Sequence, residues 1–352
     1  MKKPLFVLDD QCHYFNFELG KASWGGQQFV RFVKQFRTRW AGTMVSMGKQ
    51  TAEEFMELVF TQSATTVAGL NALGLRDLFG GSMVGDVEDH AKLAKKFPDR
   101  VILYGYVNPL DGKKALEQME HQVNELGAKA FKLYPIDPHG SATGWLCSDP
   151  KYAYPVFEKA AELGIKMIAV HKGIGATAGP HKGVLKYLDP DDMEDAAQNF
   201  PEITFHCYHM AYPEVEKIAG LCALYDNMYV DMGVPINTAC ALQPLWFEDM
   251  MKKFLTMAPA TKMTWGTDQI VSPLAQESIE SFWNWQIPKA WEKGYRIEPL
   301  SEEVKRKILG ETMAGFLGID VEKTLQRVKR DQFSRRMDPK VKKFLRRVAA
   351  GG

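Results

Sequence analysis

Eight short apolar runs, alternating with helix-length spacers over most of the chain, constrain the fold of these 352 residues more than any other feature. They lie at 5–8, near 65–72, and at 101–107, 130–133, 165–170, 203–208, 228–232 and 262–266. Helical sequence falls between them at 86–97, 113–126, 152–163, 191–199, 213–224 and 245–255, and again at 276–291 after the last run. Gly127 and Gly164 sit just beyond two of these helices, where a helix C-terminus favours a residue free to turn left-handed. Strands separated by helices pair in parallel, since each helix carries the chain back to the same end of the sheet. Eight such units predict an α/β fold, a (β/α)8 TIM barrel. Neither a glycine-rich dinucleotide fingerprint nor a P-loop is present, which argues against an open nucleotide-binding sheet.

The barrel is expected to occupy residues 1–320 and a basic helical extension residues 321–352. Residues 14–63, with helical sequence at 51–61, are too many for a simple loop after the first strand and predict an inserted lid or subdomain beside the mouth. The net charge of +1 conceals an imbalance: residues 323–352 hold eleven Lys and Arg against Asp331 and Asp338, a net +9 that leaves −8 elsewhere. Such a tail suits nucleic acid or an acidic partner, but no aromatic platform or recognition motif accompanies it. The sequence favours an amphipathic helix with Val328, Phe333, Val341, Phe344 and Val348 turned inward or onto a neighbouring subunit, and no nucleic-acid partner. No apolar run approaches the roughly 20 residues of a membrane helix, so no membrane partner is expected. Five cysteines without a CxxC pair point to a reducing, cytoplasmic setting. The opening MKKPLFVLDD reaches its acids too soon for a secretory signal.

His13, His171, His209 and Asp268 stand at or just past the ends of the first, fifth, sixth and eighth runs. In this fold those ends converge on the mouth where chemistry is built. Imidazoles and a carboxylate gathered there make a divalent metal site. A period of two places Asp9, Gln11 and His13 on one side of the first strand; Gln11 is a poor ligand, so that strand offers His13 with help from Asp9. His206 and His209 are three residues apart on a strand and face different sides, which leaves His209 for the mouth and a structural role for His206. Lys172, next to His171, suggests an open cavity. Asp268 suits a ligand that also accepts a proton from activated water. Lys132 sits inward on the fourth strand between apolar neighbours and, being costly to bury unpaired, fits an anionic substrate. Trp24, Trp145, Arg37 and Arg39 are further candidates for a pocket that binds an anion and a ring.

These residues, in this order, resemble the amidohydrolase-2 branch of the amidohydrolase superfamily, which includes aminocarboxymuconate-semialdehyde and resorcylate decarboxylases. The resemblance runs over roughly 5–320 through LDDQCHYF, FKLYP, AVHKG, FPEITFHCYHMAYPE, WGTDQ and KILGETMAGFLGI. It implies a barrel with one divalent metal ion, zinc first and manganese second, a small-molecule substrate and a homo-oligomer. It also implies His13, His171 and Asp268 as ligands and His209 as catalytic acid or base. The chain departs from the family in carrying Gln11-Cys12-His13 where His-x-His or Glu-x-His is usual, and in a shortened Met210-Ala211-Tyr212 turn. The expected activity is hydrolysis of a carboxylated, cyclic or aromatic-derived molecule by metal-activated water. Non-oxidative decarboxylation is the alternative, and a catalytically degraded barrel kept for binding is the third reading.

Overall fold

The computed structural model describes residues 3–16, 18, 23–36, 50–74, 85–136, 144–173, 184–269, 271–272 and 274–351. Its eight strands are β1 Leu8–Cys12, β2 Val67–Asn71, β3 Val101–Gly105, β4 Ala130–Leu133, β5 Met167–His171, β6 Thr204–Tyr208, β7 Met228–Asp231 and β8 Met263–Thr264. They pair in parallel and in sequence order, the arrangement that helical crossovers impose. The Asp10 N–H donates to the Trp265 carbonyl at 3.1 Å, and Cys12 pairs with Gln269, so the segment leaving β8 returns to β1 and closes the barrel. Phe6, Leu8, Tyr104, Met167, Ala169 and Tyr208 pack inside it. The other faces of the strands bury Val7, Phe131, Ile168, Phe205 and Val230 against the helices. Among the described residues no helix is long and apolar enough to cross a membrane.

Three expectations about elements need correction. The first strand pairs over Leu8–Cys12, later than the run at 5–8, so Asp9, Asp10 and Gln11 are buried strand residues. Apolarity marked where burial begins, and the polar residues that follow are buried for the site they build. The helix expected at 276–291 divides into Ala275–Asn284 and Lys289–Gly294, because Pro288 has no N–H to continue a helical ladder. A helix at Gly233–Leu242 went unpredicted; buried on most sides, it carries no polar stripe for periodicity to reveal.

Residues 321–351 form helices Val321–Val328, Gln332–Arg336 and Pro339–Ala350 packed on the barrel. Val328, Phe333, Val341, Phe344 and Val348 are all buried within the chain itself. Arg100, beside β3, reaches Asp331 through two hydrogen bonds of 2.7 and 3.0 Å and also donates to the Thr66 carbonyl. Phe333 sits between Phe60 and Phe97, with ring centroids at 5.7 and 5.4 Å. Truncating it in Phe333→Ala removes a wedge between the first helices and the last, and should lower unfolding free energy by about 3–5 kcal/mol in a urea titration. An unchanged midpoint would mean that these helices add little to the barrel.

Candidate active site

Strand alternation brings Lys132 inward on β4, His171 on β5, His206 and Tyr208 on β6 and Asp231 on β7. On β1 the inward series Phe6, Leu8, Asp10 meets a register shift between Asp9 and Cys12, and past it Gln11 and His13 turn to the mouth. Past β6, His209, Met210 and Ala211 take φ of 64°, 47° and 50°, a left-handed stretch that breaks the alternation. It brings the His209 ring to His171, centroids 4.4 Å apart. Asp268, past β8, is left-handed as well, at φ 58°. Such backbone is strained for residues with side chains and clusters at functional sites.

The side chains form one row. His13 Nε2 lies 2.8 Å from Asp268 Oδ1. Gln11 Nε2 donates to Asp268 Oδ1 at 3.3 Å and lies 3.3 Å from His209 Nε2. His209 Nε2 lies 3.0 Å from His171 Nδ1, and His209 Nδ1 lies 2.6 Å from the Val234 carbonyl. His13 donates from Nδ1 to the Asn71 carbonyl at 2.8 Å, since a carbonyl can only accept. Phe15 stacks on His13 at 4.8 Å and Tyr134 on His171 at 5.6 Å. Burial holds His171 well below the usual imidazole range and brings His209 to about 4, the latter against the opposing pull of Asp268. Burial alone would raise Asp268, but the hydrogen bond and charge of His13 prevail and hold it below the ordinary carboxylate value.

Beneath this row lies a second layer, of which the sequence reading named only Lys132. Asp10 and Asp231 are fully buried and face each other, with no donor on any of their four oxygens. They close on Gly266, where a methyl group would lie 2.5 Å from Asp231 Oδ2 and 2.8 Å from Asp10 Oδ1, so only glycine fits. Burial, then mutual repulsion, raises Asp10 well above the usual carboxylate range. Burial raises Asp231 to about 7, with Asp9 and Asp268 adding to it and Asp10 and Lys132 opposing. Lys132 Nζ lies 3.9 Å over the Tyr208 ring and 5.1 Å from Tyr134, without a hydrogen-bond partner. Burial brings it down to about 7. The signal for this layer was Asp10 itself, an acid inside a strand, together with Asp231 at the end of the seventh.

Several candidates fall elsewhere. Asp9 does not join the imidazoles. Its position, one residue before the inward-facing Asp10, turns it to the seam, where Thr267 donates to it from N at 2.8 Å and from Oγ1 at 2.5 Å; burial raises it to about 6. Lys172 lines no open cavity: it is fully buried and paired with Asp192 at 2.5 Å. Trp145 is enclosed in the helix-facing core and donates its indole N–H to the Tyr134 carbonyl. Trp24 begins the helix Trp24–Phe36 at the surface, 55% exposed. His206 lies deep in the barrel, stacked on Tyr229 at 5.5 Å, and burial lowers it to about 3. Arg37 and Arg39 lie outside the described residues.

Among the described residues no three His, Cys, Asp or Glu side chains close around a common point. The donors lie instead as two pairs, His13 with Asp268 and His171 with His209, joined by the Gln11 amide. Their chemistry nevertheless fits a cation. His13 Nε2 and Asp268 Oδ1 lie 2.8 Å apart, an ion pair when Nε2 carries a proton and two ligand atoms when a metal ion takes that proton's place. That separation is near the ligand–ligand edge, about 3 Å, of a polyhedron with metal bonds of about 2.1 Å. His171 Nε2 is buried without a partner, and so is Gln11 Oε1, a neutral and weaker donor.

A family model described as amidohydrolase matches residues 30–319. The match begins after β1, so the Gln11-Cys12-His13 departure lies outside it. The protein fluG of Emericella nidulans is 28% identical over 132 residues, which are 36% of this chain and only 14% of fluG. An uncharacterized TIM-barrel protein of Bordetella bronchiseptica superposes with a TM-score of 0.62 at 19% identity, covering 89% of this chain and all of its own. A 4-oxalomesaconate hydratase of Rhodopseudomonas palustris gives 0.55 at 15% identity, over 92% of this chain and 98% of its own. A 5-carboxyvanillate decarboxylase of Novosphingobium aromaticivorans, solved with bound manganese, gives 0.53 at 12%, over 90% and 97%. At these identities the likeness is one of fold.

The facing carboxylates have a pH signature. A folded-state value raised to about 7 means that the stability tied to Asp231 is complete below the ordinary carboxylate range and is lost as pH rises through about 7. Asp231→Asn removes that loss. The variant should gain on the wild type between about pH 4 and 7, by up to about 1.4 kcal/mol per pH unit, and the difference should level off above that. A stability difference that stays constant across that range in denaturant titrations would refute the raised carboxyl.

Proposed function

The chain belongs to the amidohydrolase-2 family of enzymes, and on that premise we propose that it is a metal-dependent hydrolase of a carboxylated, ring-derived small molecule. The observation that carries this reading is the His13 Nε2–Asp268 Oδ1 contact, an imidazole and a carboxylate held 2.8 Å apart at the mouth. His13, Asp268 and His171 would hold a divalent ion, zinc or manganese. Such an ion brings the pKa of water toward neutrality and polarises an attacked carbonyl. The chain's own groups do the rest. Asp268, kept ionised, accepts the proton of the attacking water and returns it to the leaving group. Tyr134, stacked on His171, offers a flat wall for a ring. Lys132, whose charge acts on His171, His209 and Asp268, draws an anionic substrate toward the floor.

One observation favours a carboxy-lyase as the second reading. Lys132 is a buried amine brought down to about 7, so it can give up a proton near neutral pH, as a carbon losing carbon dioxide requires. Barrels of this shape carry decarboxylation in one solved neighbour and hydration in another, so shape does not decide between the readings.

Elemental analysis of purified protein should find about one equivalent of zinc or manganese per chain, and His171→Ala and Asp268→Asn should each weaken retention by more than about a hundredfold. Turnover of carboxylated ring compounds in 18O-labelled water then separates the reactions. Label in the product supports hydrolysis, while carbon dioxide without label moves the carboxy-lyase to first place. Wild-type protein that takes up no metal on reloading would overturn both.

A further inference from the structure

We propose that Lys132 is a carbonyl-reactive amine, an imine-forming site for small aldehydes and oxo acids at the floor of the mouth. The inference goes beyond the reading above and needs no metal ion. Three lysines are buried among the described residues, Lys132, Lys172 and Lys305. Two of them are tied down, as a buried ammonium has to be. Lys172 closes on Asp192 at 2.5 Å and also donates to the Tyr187 carbonyl. Lys305 donates to the carbonyls of Trp283 and Trp285 at 2.7 and 2.5 Å. Lys132 Nζ is as deeply buried and reaches no acceptor. A lysine kept at this depth for structure alone would take the pattern of the other two.

The strand sets where that amine points. Phe131 and Leu133 pack outward against the helices, so Lys132 between them turns into the barrel. Its Nζ lies 3.9 Å over the Tyr208 ring, and the Tyr208 hydroxyl donates to the Asp10 carbonyl at 3.0 Å. One ring thus carries the amine on its face and holds β1 at its edge, where Asp10 faces Asp231 of β7. Burial brings the amine down to about 7, against the charges of Asp231, Asp268, Cys207 and Asp10. The phenols of Tyr208 and Tyr134 beside it are raised by burial and stay neutral. A desolvated lysine in its free-base form is the nucleophile that attacks carbonyls. Lys132 is enclosed much as the row above it is, where His171 is 2% and Asp268 8% exposed, so a molecule small enough to enter that row comes within reach of the amine.

The step balances without an outside reagent. Nζ adds to the carbonyl carbon, and the π pair of the C=O bond moves onto oxygen. Both amine protons end on that oxygen, which leaves as water while the nitrogen lone pair closes the C=N bond. Asp231, raised to about 7 by burial, takes and returns a proton between the two atoms near neutral pH.

Reductive trapping tests this. The protein as purified is incubated with glyoxylate and sodium cyanoborohydride, which reduces an imine to a stable secondary amine, and the adducts are located by peptide mass spectrometry. At neutral pH Lys132 should be modified more than about tenfold faster than any exposed lysine. Its rate should rise from about pH 5 and level off above about 7, while exposed lysines go on rising toward about pH 10. Lys132→Met keeps the length and apolar stem of the side chain and should lose this adduct alone. A neutral-pH map in which exposed lysines are labelled and Lys132 is untouched would overturn the proposal, and it needs no variant. Labelling of Lys132 that climbs to about pH 10 with the rest would overturn it as well, since the amine would then be an ordinary ammonium. No ion takes part, so a chain that binds no metal can pass this test and a chain that binds one can fail it.

Discussion

The mouth of this barrel depends on a clamp at its closing seam. Asp9, fully buried, accepts both the backbone N–H and the hydroxyl of Thr267, binding β1 to the segment past β8. Four residues after Asp9 comes His13, and one after Thr267 comes Asp268, and these two meet at 2.8 Å. A hydrogen bond between distant parts of the chain thus sets the distance between the two groups proposed to hold a metal ion. A buried carboxylate is tolerable there because two donors satisfy it. An acid that looked like a ligand in the sequence is the fastener that holds two others in place.

The barrel was legible because each strand and helix carries its own local pattern, and parallel pairing follows from the spacers. The convergence of His13, His171, His209 and Asp268 was legible for the same reason, since strand ends fix where residues go. What escaped was local backbone conformation. Strict alternation put Asp9 with Gln11 and His13, but the register shift after Asp9 separates them. Alternation also gave no account of how His209 reaches His171, which takes three left-handed residues in a row. Neither a bulge nor a left-handed turn has a signature in side-chain polarity when no glycine marks it. Asp10 and Asp231 escaped for another reason: a pair of acids is visible only when two strands are known to bring them face to face.

Charge is arranged in layers through the centre. The upper row holds His171 and His209, kept neutral by burial, beside the ionised Asp268, and the layer below sets two facing carboxylates against the amine of Lys132. Bare charges at this depth are unfavourable, and burial moves each of the lower groups toward its neutral form. At the surface, the basic residues of the last helices point outward while their apolar residues complete the packing over Phe60 and Phe97. The charge imbalance of the sequence is therefore a property of one face of the folded molecule.

Two glycines have a bearing on what the mouth accepts. Gly233 and Gly266 present bare backbone to Asp231, Gln11 and Asp10, and any side chain there would collide with those groups. Bare backbone cannot be reshaped one atom at a time; Gly233 and Gly266 lie just past β7 and β8, and those strands are locked into a closed ring. The floor of the mouth is fixed by main-chain geometry at these two positions. A substitution meant to deepen the mouth thus finds no side chain to trim at either position.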